Sequence, residues 1–157
     1  MKRSFLGVVV LFVALVSFSA EKKNTVLGTW ELVSAKYTSA GNTQTNTGRE
    51  IKIITKNHWA FLYQGSDRQK FAGQGTDAEL LNAAKTFNAG GGTYTLKGDT
   101  YTEQIELSIV PNLVNVSIPF KIKWEGDQWI QTGTLPLKSM GLGENDIELY
   151  EVWKRIE

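Results

Sequence analysis

Glu103 and Glu151 are the side chains of this sequence best placed to do chemistry. Glu103 alternates with Tyr101, Ile105 and Leu107, and Glu151 alternates with Leu149, Trp153 and Arg155. Residues two apart on a strand share a face, so both carboxyls are expected inside a largely apolar space. Burial raises a carboxyl pKa and a nearby cation lowers it. A carboxyl tuned in this way can anchor a ligand or serve as a general base. It can equally belong to an internal hydrogen-bond network with Tyr101, Gln131 or Arg155. An isomerase or lyase would use Glu103 with Tyr94 or Tyr101. No nucleophile–base pair accompanies them, and no residue is assigned a catalytic role.

Other chemistries are restricted by composition. The chain has no cysteine, which removes disulfides, thiol nucleophiles and Cys-ligated metals. Its single histidine, His58, is expected on an outer strand face; its other reading is a lone haem or metal ligand. No metal site and no cofactor are expected. Lys and Arg number 17 against 16 Asp and Glu with no basic stripe, so nucleic acid is not an expected partner. Gly90-Gly91-Gly92 lacks the Lys-Ser/Thr and following helix of a phosphate loop. It reads instead as a helix stop before a strand. Asn115-Val116-Ser117 fits a glycosylation sequon, relevant only in a eukaryotic secretory host.

The elements that must position these groups are strands. Thr, Tyr, Trp, Ile and Val recur in short runs between turn residues. Eight strands are expected, over 26–37, 50–55, 58–64, 93–96, 100–108, 116–125, 128–135 and 147–156. One helix is expected over 77–86, with Thr76 and Glu79 as a capping box. Being short, it must lie on something apolar. Lys56-Asn57, Lys97-Gly98-Asp99 and Gly126-Asp127 are tight turns, whereas 38–49, 65–92, 109–115 and 136–146 are long. In an up-and-down barrel, alternate connections share an end. The pattern predicts an all-β, eight-stranded, up-and-down antiparallel barrel with a closed floor. The helix would sit over an elaborated mouth, in the loop between the third and fourth strands.

Strand direction then brings Trp30, Trp59, Trp124, Trp129 and Trp153 to the floor. A packed aromatic plug is one reading and a stacking platform for sugars or bases the other. Alternation turns Phe61 and Tyr63, Tyr94 and Leu96, Glu103, Ile105 and Leu107, Phe120, Gln131, and Leu149 inward. All of these but Leu96 are assigned to a ligand-binding cup. No face is assigned to 50–55. Upstream, Lys2 and Arg3 precede the apolar run 5–18, and Ser17-Phe18-Ser19 supplies small residues. This is a signal-peptide pattern over 1–19, with cleavage after Ala20 and an uncleaved anchor as alternatives. The domain is 20–157. No cysteine follows the apolar run, so a lipoprotein is not expected.

Gly28-Thr29-Trp30 on the first strand with Arg155 on the last resembles the lipocalin pattern, in which a G-x-W tryptophan packs at the floor beneath a terminal arginine. Leu27–Leu32, Ile51–Thr55, Gly91–Glu103, Ile118–Lys123 and Glu151–Arg155 are similar to a family of small exported bacterial lipocalin-like, calycin-type proteins of unknown function. The resemblance implies the barrel but no established activity. Trp30, Trp124, Trp129, Trp153 and Arg155 are taken as floor residues. The expected role is binding of a small hydrophobic or amphipathic molecule, with a protein-interaction or inhibitor module at the mouth loops as alternative. The expected location is periplasmic or secreted, without a stable membrane anchor after cleavage.

Overall fold

A computed structural model describes residues 24–157. The leader expected over 1–19 lies outside the described residues. The strands are β1 (Gly28–Ser39), β2 (Asn42–Thr45), β3 (Arg49–Ile54), β4 (His58–Gln64), β5 (Phe87–Lys97), β6 (Thr100–Ser108), β7 (Ser117–Glu125), β8 (Gln128–Leu135) and β9 (Ile147–Arg155). The helix α1 spans Asp77–Lys85. All pairings are antiparallel, and β9 returns to β1 to close the sheet. Eight strands make the barrel. The short β2 pairs with the upper half of β1, from Lys36 to Ser39, while β3 takes the lower half, from Gly28 to Glu31. The segment 38–49, expected as a loop, thus contains a small hairpin at the rim.

Two bulges set which side chains reach the lumen. In β1 the pairing with β9 steps from Leu32 to Ser34, so Val33 is unpaired and the alternation changes phase. Trp30 points in below the bulge, and Ala35 and Tyr37 point in above it. The second bulge lies between β5 and β6, where Gly91 pairs with Leu107 and Gly92 with Ile105, leaving Glu106 as the extra residue. A Cβ on Gly92 would run into the Gln104 carbonyl and stand 2.9 Å from the Glu106 nitrogen. The glycine run is therefore where two strands approach closely. This corrects the expectation of a helix stop: Gly90–Gly92 lie inside β5, which begins at Phe87, and α1 ends at the Thr86 cap.

The capping box forms. Thr76 Oγ1 accepts from the Glu79 amide, and Glu79 accepts from the Thr76 amide at 2.7 Å. The expected apolar support is confined to the last turn of α1, where Ala84 and Lys85 border a recess with Tyr63, Phe87, Ile109 and Val110. No residue of α1 is buried, and Leu80 and Leu81 face solvent. The helix packs against β5, and none of its residues lines the cup.

At the opposite end the floor is built by 24–30 and the end of β9. Trp30 donates from Nε1 to the Val26 carbonyl at 2.7 Å. The Arg155 guanidinium lies 4.2 Å from the Trp30 ring centroid. It also donates to the carbonyls of Thr25, at 2.6 Å, and Leu27. This explains the glycine of G-x-W. Gly28 has φ of +130°, and a Cβ there would strike the Arg155 guanidinium and approach the Glu157 carbonyl to 2.6 Å. Gly28→Ala is expected to cost about 1–3 kcal/mol through backbone strain and displacement of Arg155. Urea unfolding checks it; a loss below about 0.5 kcal/mol would mean that the floor relaxes around the new methyl.

Candidate functional site

The barrel encloses a cup open at the mouth, with a volume of about 480 Å³. Its wall is apolar: Phe61 from β4, Ile105 from β6, Ile118 and Phe120 from β7, and Leu149 from β9. Tyr37 and Tyr63 stand higher, and Gln44–Thr47 of the β2 hairpin form part of the rim. The Asn46 side chain accepts from the Gly48 amide at 2.7 Å, and its Nδ2 is buried without a partner among the described residues.

The base of the cup is polar. Lys52, Glu50, Glu103, Glu151 and Gln131 are all buried there. Lys52 Nζ lies 3.0 Å from Glu103 Oε1 and 3.1 Å from Gln131 Oε1. The same ammonium is 4.6 Å from the ring centroid of Trp153 and 5.8 and 5.9 Å from those of Trp129 and Trp59. It is a lysine held in an aromatic cage, with one carboxylate and one amide as acceptors. Glu151 accepts from Trp153 Nε1 at 3.2 Å and from the Tyr37 hydroxyl at 3.5 Å.

Charge imbalance shapes the titration of this cluster. Burial disfavours the Lys52 ammonium, but Glu103, Glu151 and Glu50 outweigh it and hold its pKa above the usual lysine value. Burial, aided by Glu103, raises Glu151 against the pull of Lys52. Burial, then Glu151, pushes Glu50 up to about 8 against the same pull. The Tyr37 phenol is raised by burial and by the facing Glu151 and Glu50.

Of the residues assigned to the cup, Phe61, Tyr63, Glu103, Ile105, Phe120, Gln131 and Leu149 line it together. Two do not. Leu107 is 73 % exposed on the outer wall, because the bulge at Glu106 reverses the phase of β6 beyond Ile105. Tyr94 lies low in the barrel, 5.2 Å from the Tyr101 ring, and its hydroxyl donates to the Thr55 carbonyl of a floor turn at 3.0 Å. Leu96, also assigned inward, is exposed at the end of β5. Tyr94 is paired with Glu103 across β5 and β6, but its hydroxyl turns to the floor turn while Glu103 faces the cup. His58 is exposed on the outer face.

The floor residues lie beneath. Trp30, Trp129 and Trp153 have no exposure, and Trp30, Trp124 and Trp129 pack with centroids 5.6 to 6.2 Å apart. Arg155 covers Trp30, and Trp124 is half-buried beside it, both rings bordering a recess at the closed end. Among the described residues, no helix is long and apolar enough to cross a membrane.

No family model matches the chain, and no curated protein matches it. A solved structure does. The crystal structure of an uncharacterized protein from Saccharomyces cerevisiae is similar over 80 % of this chain, at 17 % identity and a TM-score of 0.50. The likeness is one of fold. The chain spans about half the length of that protein, 52 %, so the yeast chain holds much that has no counterpart here.

Glu50 and Lys52, the most consequential members of the base, were assigned no face from sequence. Ile51 and Ile53 would claim the interior on hydrophobicity. A signal was nevertheless present in the two-residue turn Lys56-Asn57. It pairs Ile54 with Trp59, Lys52 with Phe61 and Glu50 with Tyr63. Paired residues share a face, so placing Phe61 and Tyr63 inside also places Lys52 and Glu50 inside.

Proposed function

We propose that this protein is an exported lipocalin-like binding protein that holds a small hydrophobic or amphipathic molecule in its lumen. One observation carries the reading: a cup of about 480 Å³, open at one end, with apolar walls and a polar base. That volume and make-up are those of small-molecule sites, which run from about 300 to 1,000 Å³. The G-x-W and arginine pairing at the floor supports the lipocalin-like part of the reading. The apolar run before the domain supports export. Native mass spectrometry of the protein purified from the organism that makes it, followed by denaturing extraction, tests the proposal. A stoichiometric small molecule is expected. A protein that is empty, and whose lumen admits no apolar dye, would overturn the binding reading.

A second reading has its own observation. Phe71, Leu80 and Leu81 are exposed on the long connection that carries α1. Exposed apolar side chains on one loop suit a protein-interaction or inhibitor module at the mouth. On that reading, replacing Leu80 and Leu81 by serine abolishes co-purification of a partner and leaves lumen binding untouched.

A further inference from the structure

The base of the cup holds three carboxyl groups, Glu50, Glu103 and Glu151, and one ammonium, Lys52. Their hydrogen bonds are unevenly filled. Lys52 is engaged by Glu103 and Gln131. Glu151 is engaged by Trp153 and Tyr37. Glu50 is only 8 % exposed and lines the cup, and its carboxyl faces the open lumen rather than a side-chain donor among the described residues. A carboxyl in so enclosed a place is poorly hydrated when ionised, and a positive charge brought beside it favours that form. The opening to the lumen is the route by which such a group can arrive.

The sign of the missing charge follows from the inventory. An anionic headgroup would face three carboxyls, with the one cation already taken. A neutral headgroup would offer Glu50 at most a hydrogen bond and leave it protonated. A cation favours the ionised carboxylate, and at short range in a low-dielectric cup the attraction is large. The barrel already displays how it holds an ammonium, since Lys52 sits between a carboxylate, an amide and the Trp153 face. Around Glu50 the same kinds of group recur, with Tyr63 paired beside it and Phe61 one step lower.

We propose that the lumen binds an amphipathic amine, its ammonium on the Glu50 carboxylate and its apolar body against Ile118, Phe120 and Leu149. The proposal rests on the lumen being a binding site and specifies what enters it. Burial holds Glu50 protonated near neutral pH, so the amine displaces that proton to solvent as it pairs.

Three probes of equal length separate the possibilities: octylamine, octan-1-ol and octanoate, titrated into the purified protein by calorimetry. The amine is expected to bind about tenfold or more tighter than the alcohol, as a charge-assisted hydrogen bond requires, and octanoate weakest. Glu50→Gln should collapse the amine-to-alcohol ratio towards unity. A readout on the unmodified protein is independent of how that variant folds. Amine binding should release a proton, seen as a heat that varies with buffer ionisation enthalpy, and octan-1-ol should release none. Equal affinities for all three probes, or tightest binding of octanoate, would overturn the cationic specificity and leave the lumen-binding reading standing. Failure of all three to bind would overturn both.

Discussion

Lys52→Met is expected to destabilise the barrel by about 3–5 kcal/mol, the cost of removing one partner from a buried ion pair. The methionine would fit the space and keep contacts with the tryptophan cage, so packing is not the main loss. The loss is electrostatic. Among the described residues Lys52 is the only buried cation, and three buried carboxyls face it. Without it Glu103 loses its 3.0 Å partner and Gln131 Oε1 its donor. Glu50 and Glu151, which Lys52 pulls down against burial, would hold their protons more tightly still. Adding Glu103→Gln to Lys52→Met should recover part of the loss, because a neutral amide replaces the orphaned carboxylate. Urea unfolding of the two variants checks both statements. A single-variant loss below about 1 kcal/mol, or a double variant no better than the single, would show that the ammonium does not neutralise the cluster.

The sequence discloses most of this fold because the decisive signals are local. Two-residue turns fix hairpin register, Thr76 and Glu79 fix the helix start, and large aromatics reveal the floor once strand directions are known. The site is less legible for two physical reasons. The first is the inverted pattern of β3, where Glu50, Lys52 and Ile54 point in and Ile53 points out. Hydrophobic alternation looks for a greasy face, and here the polar face is the buried one, held by partners on β6, β8 and β9 that lie far away in sequence. The second is the bulges. Glu106 carries no mark of being the extra residue in β6, and its presence sends Leu107 to the surface. The glycines opposite are the only hint, because Gly92 leaves no room for a side chain there. Likewise the bulge at Val33 turns Tyr37 into the cup.

Stability should fall as pH rises from about 5 to about 8, the reverse of the behaviour of a protein held by exposed ion pairs. Glu50 titrates near 8 when folded and near its ordinary value of 4.5 when unfolded. Between those values the folded state binds a proton that the unfolded state does not, so each step up in pH favours unfolding. The contribution is fully present below about 4.5 and gone above about 8. At about 1.4 kcal/mol per pKa unit, the loss across the window is on the order of 5 kcal/mol. The groups facing Glu50 are Lys52 on its own strand, Glu103 on β6, Glu151 on β9, Tyr37 on β1 and Tyr63 on β4. Glu151 is raised by burial as well and adds a slope of the same sign. Lys52 and Tyr37, both raised, keep their protons throughout this range and add none. Exposed Glu79 and Asp99 are lowered by hydrogen bonds, the latter by Lys121, and act only below about pH 4.5. The profile should therefore peak near pH 5. Glu50→Gln should flatten the descending limb and leave the variant more stable than the unmodified protein at pH 8. Urea midpoints at pH 5 and pH 8.5 decide it: a flat profile, or a full slope surviving in Glu50→Gln, would place the titrating group elsewhere. A bound amine would supply the charge that the ionised Glu50 lacks, so saturating octylamine should restore stability most at the alkaline end, where the empty cup is weakest.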